Sequence, residues 1–105
     1  MQSLSQVQAR AAALVLPAHC VIDGQLVGAA DGAVFDNVTP RDGSILSRVP
    51  SCGAADVDRA VGAARAAFGD RRWRALAPAA RKKALLGLAE LMERDREDLA
   101  LMEAL

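Results

Sequence analysis

Three side chains could do nucleophilic or metal chemistry: His19, Cys20 and Cys52. The cysteines form no Cys-x-x-Cys and His19 is the only histidine, so a zinc site lacks its ligands. His19 adjoins Cys20, as a thiolate–imidazole pair would. Neighbours on an extended strand point to opposite faces, however, so His19 is poorly placed to activate Cys20. The preferred reading is of two buried structural cysteines, each acting as a small hydrophobe. The chain has no Gly-x-Gly-x-x-Gly, Walker loop or Gly-x-Ser-x-Gly, and no acid–base pair whose spacing would place it in one cleft. Residue types alone therefore assign no catalysis.

The elements that must position these residues are legible. Leu4, Val7, Ala11 and Leu14 fall at helical spacing, and Pro17 stops the run, which predicts a helical extension over 1–17. The apolar stretch there is too short and too weakly charged for a signal peptide. Cys20–Ile22 and Gln25–Val27 flank Asp23-Gly24, a pair suited to a tight hairpin turn. A loop over 28–33 leads to a second hairpin, Val34–Thr39 and Ser44–Val49, around Pro40-Arg41-Asp42-Gly43. The two hairpins occupy 20–50.

Helices are predicted over 54–105. Val57, Ala60, Val61, Ala64 and Phe68 make one apolar stripe, Asp56 and Asp58 lie in its first turn, and Gly69 ends it. Trp73 either plugs the gap between helices or faces a partner. Pro78 suits a helix start, Leu85, Leu88 and Met92 mark a buried side, and Glu90 with Arg94 is ordered for an ion pair. Residues 78–105 form either one helix or two, with Asp95 and Asp98 available as caps. The fold class is α+β.

Composition bounds what this can be. The 105 residues allow one small domain. Of the 52% hydrophobic residues many are alanine, and aromatics are 3%, so a self-sufficient core would be thin. Thirteen basic residues balance thirteen acidic ones, which gives no bias toward nucleic acid. A basic run from Arg71 to Lys83 holds a single aromatic, Trp73, rather than an interleaved aromatic platform, and reads as a solvated face. No apolar stretch is long enough to span a membrane. Sparse cysteine and a balanced surface suit a cytoplasmic location. The thin core, and a helical pattern still running at Leu105, predict a piece of something larger. The rival expectation is a free-standing interaction module.

The order of segments carries a resemblance. Ile22-Asp23-Gly24-Gln25-Leu26-Val27, then Phe35-Asp36-Asn37-Val38-Thr39-Pro40, then 43–49 resemble the opening of NAD(P)-dependent aldehyde dehydrogenases. So do Ala55-Asp56-Val57-Asp58-Arg59-Ala60-Val61, Ala64 to Phe68, Trp73, Arg81 to Leu91, and Arg96-Glu97-Asp98-Leu99-Ala100. The extension before Val21 and the run Ser51 to Asp56 look most like the γ-glutamyl-γ-aminobutyraldehyde dehydrogenase group. Thr39 stands where the family usually has asparagine, and Gly53 and Ala77 are weak helix caps.

The resemblance implies an oxidoreductase that converts aldehydes to carboxylic acids through a cysteine nucleophile, a glutamate base and NAD or NADP. It also implies that 1–105 is the incomplete N-terminal, outer part of a Rossmann-like nucleotide-binding domain. The family's catalytic and phosphate-binding residues come later than this stretch, so the segment alone is expected to be inactive. The expected partners are the remainder of the chain and further copies in a dimer or tetramer, with no nucleic acid and no membrane. A monovalent cation is implied at the backbone carbonyls of Asn37 and Val38, completed by an aspartate just after Leu105.

Overall fold

A computed structural model describes all residues 1–105. Helix α1 spans Leu4–Ala13. Ser3 opens it with a reciprocal cap: its hydroxyl accepts from Gln6 N–H, and Gln6 Oε1 accepts from Ser3 N–H at 2.8 Å. The helix ends earlier than expected, because Leu14 is already extended at φ −64° and ψ 131°.

Strands β1 (Cys20–Ile22) and β2 (Gln25–Val27) pair antiparallel. Asp23 at φ 53° and Gly24 at φ 72° supply the left-handed turn that the hairpin twist requires. Strands β3 (Val34–Val38) and β4 (Ile45–Pro50) form a second, separate antiparallel pair. Its register slips between Asn37 and Val38: Asn37 faces Ser47 and Val38 faces Ile45, so Leu46 bulges from β4. Pro50 is paired opposite Val34 at the strand's end.

Helix α2 covers Ala54–Gly69. Gly69 does not supply the left-handed cap. Arg71 adopts it at φ 65°, while the Asp70 carboxylate accepts from Arg72 N–H at 2.9 Å and fixes the turn. Helix α3 runs Pro78–Arg94 with proline in its first turn, and α4 runs Arg96–Ala104. The two are distinct helices broken at Asp95. The expected Glu90–Arg94 pair gives way there. Arg94 instead donates to both oxygens of Asp95, each at 2.8 Å, leaving that carboxylate no bond to the α4 backbone.

Arg10 ties α1 to α4 by donating to Asp98 at 2.8 Å and to Glu97. The first hairpin lies on α2, where Val21 and Ile22 share a cleft with Ala60, Ala63, Ala64 and Ala67. No apolar side chain is buried within the chain. The stripes read as core are uncovered: Val57, Val61 and Phe68 on α2, and Leu85, Leu88 and Met92 on α3, are all exposed. Trp73 is about half exposed in the connection between α2 and α3. No helix is long and apolar enough to cross a membrane.

Candidate functional site

The first hairpin brings Cys20 beside the link between β4 and α2. Cys20 opens β1, and Cys52 lies two residues before α2. Their sulfurs are 3.1 Å apart, both as free thiols. Burial is less than expected: Cys20 is half-buried and Cys52 is exposed, because no further layer covers this edge. His19 is exposed and Cys20 half-buried, consistent with their alternation along the chain. The hydrogen bond to Cys20 is the main cause that pushes the Cys52 thiol up to about 11, aided by the nearby Asp56 carboxylate and opposed by Arg59. Cys52 is therefore protonated at neutral pH, a poor state for a nucleophile.

Sequence spacing did not reveal this pairing. Thirty-two residues separate the cysteines, and only the antiparallel closure of both hairpins returns the chain to Cys20. The signal that could have found it was the length of those hairpins, which sets where the chain re-emerges.

Asp56 anchors the same edge and is 3% exposed. Its carboxylate accepts from Ala30 N–H at 2.9 Å and from Gly53 N–H at 3.1 Å. It thus compensates the missing side-chain cap at Gly53 by reaching back to the start of α2. A second tie, Ser51 N–H to the Ala33 carbonyl at 2.8 Å, lies alongside. Alanine at Asp56 strands two backbone donors. Asp56→Ala in the full gene product is expected to cost about 3 kcal/mol of stability, read as a lowered thermal midpoint, and Asp56→Asn less. An unchanged midpoint would contradict this.

The other end of the fold holds Thr39, which is 1% exposed. Its hydroxyl accepts from Arg41 N–H at 3.3 Å and donates to the Leu105 carbonyl. Its own N–H reaches the Ser44 carbonyl at 2.9 Å, and Gly43 N–H donates to its carbonyl at 3.0 Å. The threonine is thus fully engaged in the turn. Asn37 and Val38 sit just before it, where the β4 bulge interrupts the regular ladder.

A dinucleotide does not fit the residues present. The N-terminus of α2 follows a glycine, but its Gly53 N–H is held by the Asp56 carboxylate, an anion where a phosphate would have to sit. Nor do the titratable residues gather into a metal-binding group of three.

Comparison with known proteins supplies the class. The aldehyde dehydrogenase family profile matches residues 27–105. An aminoacetaldehyde dehydrogenase of Pseudomonas aeruginosa is 47% identical over 103 residues, covering 98% of this chain and 21% of that protein. Among solved structures, a γ-glutamyl-γ-aminobutyraldehyde dehydrogenase from Burkholderia cenocepacia is 43% identical at a TM-score of 0.96, over 99% of this chain and 21% of that one. The P. syringae indole-3-acetaldehyde dehydrogenase AldA, solved as a mutant with NAD+ and IAA, superposes on the whole chain at 0.95 and 41% identity, covering 21% of its own chain.

The chain belongs to the aldehyde dehydrogenase family. It spans about a fifth of the length of the relatives just described.

Proposed function

We propose that residues 1–105 serve as the opening, non-catalytic segment of an enzyme that oxidises aldehydes to carboxylic acids with NAD or NADP. The observation that carries this reading is the superposition of essentially the whole chain on the γ-glutamyl-γ-aminobutyraldehyde dehydrogenase at a TM-score of 0.96. The segment's work is structural. In this reading 1–17 is a helical extension, 20–50 the two hairpins and 54–105 the helices of an incomplete nucleotide-binding domain. The exposed faces of α2 and α3 are covered by the remainder of the protein, which supplies the nucleophile, the base and the dinucleotide loop. The parent is cytoplasmic and assembles as a dimer or tetramer.

The same reading includes a structural monovalent cation near the Asn37 and Val38 carbonyls. Support comes from the bulge beside them and from the Thr39–Leu105 hydrogen bond, which holds the end of α4 against that strand. Neutral carbonyls suit such an ion, but two are too few, so a further oxygen from beyond Leu105 completes the set.

A chimera tests the assignment. This chain replaces the matching opening of the P. aeruginosa aminoacetaldehyde dehydrogenase. Aldehyde-dependent NADH formation within about tenfold of the parent enzyme is the expected result, a loss of no more than about 1.4 kcal/mol in barrier. A soluble, folded chimera that binds NAD+ but turns nothing over would refute the reading.

A further inference from the structure

The two thiols are the one reactive cluster that the proposed function leaves unused. Their sulfurs lie 3.1 Å apart, and at least one is open to solvent. Backbone hydrogen bonds hold the elements on both sides. Cys20 is paired in register with Val27 across the first hairpin. Next to Cys52, Ser51 N–H is bonded to Ala33 and Gly53 N–H to Asp56. Asp56 also holds Ala30, just after β2, so the segments carrying the two cysteines are already stitched together. A metal would need more ligands than this edge provides.

We propose that Cys20 and Cys52 form a peroxide-responsive redox pair, a modification site that closes to a disulfide between the first hairpin and the start of α2. One thiolate attacks a peroxide oxygen. The O–O bond breaks, hydroxide leaves and takes up a proton as water, and that cysteine becomes a sulfenic acid. The second thiol loses its proton and attacks the sulfenic sulfur. The S–S bond forms, the S–O bond breaks, and the departing hydroxide takes up that proton as a second water. The two thiols give up two electrons, and one peroxide is reduced to two waters. A low-molecular-weight thiol reverses the bond by exchange.

Geometry favours this end point over further oxidation of the sulfenic acid to sulfinic acid. Formation of an S–S bond of about 2.05 Å needs only about 1 Å of approach from sulfurs now 3.1 Å apart. Whichever sulfur reacts first, its neighbour is at hand to resolve it. Cys52, protonated at neutral pH, must lose its proton to react, so closure quickens as the solution becomes more alkaline.

The experiment uses the full gene product treated with hydrogen peroxide, alkylated, and digested with trypsin without reduction. The expected product joins the peptides 11–41 and 49–59, with a mass about 2 Da below the sum of the two free-thiol peptides. It forms at least about tenfold faster in the native protein than in guanidinium, where only chain diffusion brings the thiols together. Dithiothreitol removes it. C20S and C52S each trap a sulfenic acid, seen as a dimedone adduct on the remaining cysteine. Equal rates in native and unfolded protein would overturn the proposal, as would dimedone capture in the native wild type without the linked peptide. Because the linked peptide is read by mass, failure of the aldehyde dehydrogenase reading would leave this result untouched.

Discussion

Purified residues 1–105, given NAD+ or NADP+ and any aldehyde, produce no NADH or NADPH above the buffer rate. The expected loss is the whole enzymatic acceleration, at least about a millionfold. Each local reason is visible. Cys52 is held as a thiol by its bond to Cys20, with its pKa pushed up to about 11. His19 lies exposed just before β1 and makes no hydrogen bond to either sulfur. The helix start that could cradle a phosphate is taken by the Asp56 carboxylate. Reduced-nucleotide fluorescence checks the expectation. Formation that scales with chain concentration and vanishes in C20S or C52S would reverse it.

The second large effect concerns stability. Made alone, the chain will show helical circular dichroism but no cooperative thermal transition. A compact protein of about 11 kDa exposes about 5,600 Å². This chain exposes 8261 Å². Its radius of gyration is 17.9 Å, where a compact domain of this length would have about 13 Å. The excess surface is the size of an obligate interface. With no apolar side chain buried, the conformational entropy of ordering the chain, of order 100 kcal/mol, goes unopposed by a core. Strong binding of an apolar dye at room temperature is the accompanying sign. One sharp transition, coincident by circular dichroism and Trp73 fluorescence in a monomer, would favour the free-standing module instead.

Local chemistry was readable where a few neighbouring residues decide the outcome. Asp23-Gly24 and Gly43 occupy the positive-φ positions their hairpins need. Pro78 opens its helix. Features settled by distant chain were not readable. Asp56 looked like an ordinary first-turn acid, because one of its two donors, Ala30 N–H, lies 26 residues upstream. The thiol pair stayed hidden for the same reason. Arg94 chose Asp95 over Glu90 because the helix breaks there and turns the adjacent carboxylate toward it. The apolar stripes had the right period, but periodicity says which face wants cover, not whether this chain provides it.

The Asp56 latch also dictates an order of assembly. Between Ala30 and Gly53 lies the entire second hairpin. Before that hairpin zips, the carboxylate must close a long, floppy loop to reach Ala30, and the entropy of closure opposes it. Once β3 and β4 have paired, Ala33 and Ser51 are already side by side, and the remaining gap is a few residues. The hairpin is the early event and the carboxylate the late fastener. Interactions formed late govern how fast a structure comes apart more than how fast it forms. Asp56 therefore sets how long the start of α2, and with it the cysteine edge, stays docked between openings.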